Sequence, residues 1–214
     1  MANGLISLHA GCLWCKIIAP LASTVPTPRS NPPSELEFPL MRKVLLALVG
    51  SLLFVGATGD NPVMKAKAEV LGFKDRNIKG EVFFYQYPDM TVHVFGKITG
   101  LPKNRTFAIH VHQFGDCSSP KASGGHFDPY HSGKHGNPKD PIGTHHSGDM
   151  PNIKSNAKGE ATLDFRTKAF TVVPSPYSVL GRAVIIHAGA DDYKSQPAGN
   201  AGPRIACGVI GVVK

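Results

Sequence analysis

Two imidazoles separated by one apolar residue, His110-Val111-His112, could grip a metal ion. They lie within RTFAIHVHQF (Arg105–Phe114), which reads as a β-strand. Side chains on a strand alternate with a period of two, so both rings leave the same face, ~6.5–7 Å apart at the backbone. Val111 then points to the other face, toward a core. Alone, the pair is equally well read as two solvated histidines. Other donors change that balance. His187 ends a second apolar strand pattern, and the stretch Gly124–Met150 holds five of the ten histidines among glycines and prolines, with no helical or strand period. His126, His135 and His146 punctuate this loop and Asp149 closes it. Imidazole suits zinc and copper; tetragonal nitrogen sets suit Cu(II), and tetrahedral nitrogen–oxygen sets suit zinc. Two ions sharing one ligand would use six histidines and one aspartate. A loop tied to metal at several points needs no ladder of its own.

These donors need strands to position them. Lys65–Leu71, Ile78–Gln86, Met90–Ile98, Arg105–Phe114, Gly159–Arg166, Gly181–Ala188 and Pro203–Val213 all carry β-type patterns. Tyr87-Pro88-Asp89 marks a turn between the second and third. About eight strands with glycine-marked turns predict an all-β antiparallel sandwich or barrel. A chain that is 42% hydrophobic and 18% charged can build a real core, and the sequence contains no internal repeat and no sign of a second folded domain.

The first 59 residues read differently. MRKVLLALVGSLLFVGATGD from Met41 has a basic start, an apolar run and small residues at Ala57–Gly59. That is the pattern of a secretory signal peptide, with an apolar run short of the ~20 residues of a membrane span. Residues 1–40 read as an unfolded or non-native upstream segment, 41–59 as the signal peptide and 60–214 as the mature domain. Cys12 and Cys15 form a C-x-x-C pair upstream of the signal, read as incidental to the mature protein. The mature part has 19 Lys+Arg against 13 Asp+Glu, a net charge of +6. This suits an anionic substrate. The basic residues are scattered, so nucleic acid is not expected as a partner, nor is a membrane after signal cleavage. Cys117 and Cys207 are the two cysteines of that part, and an isolated pair in an exported protein reads as a disulfide. Asn104-Arg105-Thr106 is a glycosylation sequon.

The motifs HVHQFGDC, GGHFDP, KHGNPKD, HSGD, VIIHAGADD and GNAGPRIACGVIG, in this order, resemble the copper/zinc superoxide dismutase family over Lys65–Lys214. The resemblance implies an eight-stranded Greek-key sandwich or barrel with long metal-binding loops. It implies copper on His110, His112, His126 and His187, and zinc on His126, His135, His146 and Asp149, with His126 shared. Asp191 matches an aspartate that hydrogen-bonds one copper and one zinc histidine, here His110 and His135. Arg204 matches the arginine that attracts superoxide, and Cys117 and Cys207 match the intrasubunit disulfide. The implied activity is dismutation of superoxide to oxygen and hydrogen peroxide by copper cycling between Cu(II) and Cu(I), in a secreted, extracellular homodimer. Catalytic roles fall to Arg204 and to His126 as proton carrier. Of the paired histidines, His146 keeps the His-x-x-Asp spacing, and His145 is expected at the surface. The alternative is a non-catalytic secreted copper/zinc-binding protein of the same fold. The complete ligand sets, Arg204 and the lack of a C-terminal Cys-x-Cys favour the enzyme.

Overall fold

The computed structural model describes residues 61–213 apart from Asp75. The expected upstream segment and signal peptide lie outside the described residues. Alternation is clearest in β1 (Met64–Gly72), where Ala66, Ala68 and Val70 are fully buried and Lys65, Lys67 and Glu69 take the opposite face. The same rule places Val82 and Phe84 of β2 (Lys79–Gln86) and Val92, Val94 and Ile98 of β3 (Val92–Thr99) in the core. The remaining strands are β4 (Thr106–Phe107), β5 (Ile109–His112), β6 (Ile153–Lys154), β7 (Ala161–Thr167), β8 (Ala183–His187) and β9 (Arg204–Val212).

Seven strands form one antiparallel sheet in the order β5-β8-β9-β1-β2-β3-β7, and β4 pairs with β6. β4 leads into the edge strand β5, and β6 precedes the other edge strand, β7. Their pairing therefore draws the two edges toward each other and curls the sheet. The all-β antiparallel expectation holds: among the described residues there is no helix.

Nine strands are described rather than eight. The expected strand Arg105–Phe114 is two elements, because the chain changes partner at Ala108. Phe107 pairs with Ile153, whereas Ile109 pairs with Ile186. Ala108 between them bonds the turn after β8: its N–H donates to Gly189 O at 2.7 Å, and its carbonyl accepts from His187 N at 2.9 Å. β6 is two residues long, too short for any period to register.

β5 and β8 are buried on both faces. Ile109, Val111, Val184 and Ile186 join the core. His110, His112 and Ile185 sit on the opposite face, where loops cover them.

The long loop lies along the free edge of β5. Val111 N donates to Gly148 O, and Phe127 N donates to Val111 O, both at 2.9 Å. Isolated antiparallel bridges set Asp149 opposite His110 and His126 opposite His112. Gly148 has to be glycine here, since a Cβ would collide with the Val111 carbonyl. Metal coordination was expected to stand in for the loop's missing ladder. The structure adds a support that this expectation did not include: the loop borrows main-chain hydrogen bonds from an edge strand.

Candidate metal centre

Strand period and loop register bring the donors together. One ligand atom each from His110, His112, His126 and His187 forms a set lying within 4.8 Å of one another. His126, His135, His146 and Asp149 form a second set on the same criterion, and His126 belongs to both. All seven residues are buried.

Hydrogen bonds decide which nitrogen of each ring is free. His112 Nδ1 lies 3.0 Å from Gly124 O, and His187 Nδ1 lies 3.0 Å from Gly202 O. A carbonyl only accepts, so both Nδ1 atoms carry the proton and both Nε2 atoms present bare lone pairs. Those two Nε2 atoms face each other at 3.4 Å. His110 Nε2 is held by Asp191 Oδ2 at 2.8 Å, which leaves His110 Nδ1 buried without a partner. His126 Nδ1 is held by Asp149 Oδ1 at 2.7 Å, which leaves His126 Nε2 in the same condition. Four lone pairs thus converge with no proton between them. A cation at their centre satisfies all four, and an all-imidazole set is chemistry that copper accepts.

The second set is built around Asp149. Its Oδ1 lies 2.7 Å from His126 Nδ1, 3.0 Å from His135 Nδ1 and 3.6 Å from His146 Nδ1, the last without a hydrogen-bond partner. Its Oδ2 accepts from Gly136 N at 3.1 Å. Three imidazoles and one carboxylate fit a tetrahedral zinc site.

Electrostatics separate the two sets. Burial lowers His110 to about 3 and His187 to about 4, and pushes His112 and His126 down as well. Those rings are neutral at physiological pH, with lone pairs available. His135 moves the other way. Burial opposes its charge, but the carboxylates of Asp149 and Asp191 raise it to about 9. Burial also works against the charge of Asp149 and Asp191, yet their histidine partners hold both well below the usual carboxylate range. A metal entering the second set therefore displaces a proton from His135.

Asp191 joins the sets: Oδ2 meets His110 Nε2 and Oδ1 meets His135 Nε2, each at 2.8 Å. Asn152 fixes it in turn, with Asp191 N donating to Asn152 Oδ1 and Asn152 Nδ2 donating to Asp191 O, both at 2.9 Å. Arg204, at the start of β9, donates to Pro120 O at 2.8 Å and to Gly124 O at 2.6 Å. Gly124 O also serves His112, so one carbonyl carries the guanidinium beside the first histidine set. Cys117 and Cys207 are bonded, 90 residues apart in sequence with Cα atoms 5.7 Å apart, among Phe73, Ala183 and Ile185. The disulfide anchors to β9 the same loop whose carbonyls hold Arg204.

The sequence profile of the copper/zinc superoxide dismutase family matches residues 78–210. The chain belongs to the copper/zinc superoxide dismutase family. Among its relatives, the Cu-Zn superoxide dismutase 2 of Aquifex aeolicus (strain VF5) is 39% identical, over 79% of this chain and 99% of the relative. The Cu-Zn superoxide dismutase of Talaromyces marneffei is 42% identical, over 70% of this chain and 99% of its own length. The crystal structure of the clock protein EA4 superposes with a TM-score of 0.63 at 37% identity, covering 72% of this chain and 96% of that one. Membership makes the chain a superoxide dismutase with copper and zinc as its cofactors and superoxide as its substrate.

One expectation about the site is corrected. His145 is buried, with 2% of its surface exposed. Its Nδ1 donates to His146 O at 2.8 Å and lies 3.6 Å from Asp149 Oδ2, behind the zinc set rather than in solvent. Spacing arguments separate ligand from non-ligand, but they do not say whether the non-ligand is covered. Asn152 and Tyr193 were missed altogether. Asn152 N donates to the Tyr193 hydroxyl at 2.8 Å, and neither residue stands in a motif that would have singled it out.

Proposed function

We propose that copper is held by His110 Nδ1 and the Nε2 atoms of His112, His126 and His187. Zinc is held by the Nδ1 atoms of His126, His135 and His146 and by Asp149 Oδ1. The observation carrying this reading is the pair of bare Nε2 lone pairs, His112 and His187, facing each other at 3.4 Å. Two lone pairs so placed repel unless a cation lies between them. Copper would supply the one-electron exchange with superoxide, and zinc would supply a fixed, redox-silent charge among His126, His135, His146 and Asp149.

The chain's own residues do the rest. Arg204 draws in the anion and orients it, its direction set by the carbonyls of Pro120 and Gly124. His126 Nε2, when it is not engaged by copper, would take a proton from solvent and pass it to the peroxide, whose second proton also comes from solvent. Two superoxide ions and two protons leave as one oxygen and one hydrogen peroxide. Asp191 keeps His110 and His135 in register by taking a ring nitrogen from each.

Copper and zinc counts after chelation and reconstitution test the ligand sets: two ions per chain are expected, and a single ion would overturn the shared-ligand reading. Arg204→Ile is expected to keep both ions while the rate falls roughly tenfold or more and loses salt dependence, because steering contributes ~10–1000-fold. Stopped-flow superoxide decay across ionic strength reads this, and an unchanged rate would remove the steering role.

The chain works as a secreted homodimer. Gly115 packs against Gly181 and Val209, and Phe114 and Val209 beside it are exposed, so the three segments offer one apolar surface. Sedimentation at micromolar concentration checks this, with a monomer mass as the contrary result. Asn104 is exposed between β3 and β4 and can carry a glycan on export. Mass spectrometry of the exported chain would show its first residue and an Asn104 glycan, and retention of residues 41–59 would contradict the leader.

A further inference from the structure

The segment joining β8 to β9 touches His135 at more than its ring. We propose that Gln196 is a positioning residue for the zinc set, fixing the main chain of His135. This rests on the reading of His135 as a zinc ligand. Gln196 Oε1 accepts from His135 N at 2.7 Å, and Gln196 Nε2 donates to His135 O at 2.8 Å. One planar amide thus pairs with both main-chain groups of a single residue, as a strand neighbour would. His135 is buried, and among the described residues its main chain makes no backbone–backbone hydrogen bond. The glutamine takes the place of the ladder that this part of the loop lacks.

The clamp is itself held. Asp192 Oδ1 accepts from Lys194 N at 2.9 Å and from Ser195 N at 2.8 Å, and its Oδ2 accepts from Ser195 Oγ at 2.6 Å. This carboxylate-capped turn presents Gln196 to the loop opposite. Asp191, five positions earlier, holds His135 Nε2 at 2.8 Å. One segment therefore grips His135 by its amide N–H, its carbonyl and the far side of its ring. Gly199 closes the arrangement: a Cβ there would fall on Asp191 Oδ1 and crowd His135 Nε2. With the Cα and the ring both fixed, His135 Nδ1 is aimed at Asp149 and His126 before any ion arrives. A ligand pre-aimed in this way binds metal more tightly than one that must first be ordered.

Gln196 is exposed, so its replacement leaves the packed core alone. Gln196→Met keeps the side chain's length and removes both hydrogen bonds. In the full chain, competition with a chelator is expected to show zinc affinity lowered roughly tenfold, the low end for partners that orient a ligand. Cobalt(II) placed in the zinc set is expected to give a shifted d–d spectrum, a readout that a merely stabilising role would not move. His135→Ala is the companion variant and should lose most zinc binding. If His135→Ala loses zinc while Gln196→Met keeps wild-type affinity and cobalt spectrum, or lowers only the melting temperature of the metal-free protein, Gln196 is not a positioning residue. If His135→Ala itself keeps wild-type zinc affinity, the ligand reading beneath the inference fails, and the inference with it.

Discussion

His126→Ala is expected to empty both metal sites at once. The ring is common to the two donor sets, with Nε2 toward His110, His112 and His187 and Nδ1 toward His135, His146 and Asp149. The main-chain bridge that sets residue 126 opposite His112 does not need the imidazole, so the fold and the loop's course should persist. Partners that merely orient a ligand cost roughly 10–100-fold in affinity or activity when removed. Loss of a ligand shared by two ions is expected to lower superoxide consumption by more than ~100-fold and to reduce both copper and zinc counts. His112→Ala is the contrast, expected to lose copper while zinc stays. Full zinc occupancy in His126→Ala would show that the ring is not shared.

The second large effect concerns the cross-link. Cys117→Ser opens a loop closed over 90 residues of sequence. The chain-entropy account assigns such a loop about 4–5 kcal/mol, with measured losses commonly about 2–5 kcal/mol. Denaturant unfolding of the zinc-loaded protein should show a drop of that order, with a steeper slope because the uncross-linked unfolded chain exposes more surface. A second consequence follows from position. Pro120 and Gly124, the carbonyls that aim Arg204, stand on the loop that Cys117 anchors to β9. The variant should therefore slow superoxide consumption even where it remains folded and metallated. A stability loss with an unaltered rate would separate the anchor from the arginine.

Much of the site could be read before any coordinates, for a physical reason. A strand's period of two is strict, so His110-Val111-His112 had to place two rings on one face and one side chain in the core. The structure puts them there. The order of the remaining motifs named His126, His135, His146, His187 and Asp149 through family resemblance, and the structure gathers the same residues. What escaped was everything that depends on main-chain partners rather than side-chain type. Ala108 looks like any strand residue, yet the chain changes neighbours there. Two-residue β6 has no period to detect. Gln196 is a common polar residue in a loop, and only the His135 backbone across from it gives it a meaning. His145 reads as a surface residue from its spacing, yet it is buried within its own loop, close against Gly136.

β5 and β8 serve two masters. Their inward residues, Ile109, Val111, Val184 and Ile186, belong to an oily interior, while alternate outward positions carry the imidazoles. The two donor sets therefore lie outside the barrel wall, and the interior contains none of their residues. A substitution confined to one side of the wall changes the oily packing or the donor sets, but not both. A one-residue slip of β5 against β8 would reach both sides at once, carrying the imidazoles inward and the aliphatic side chains out.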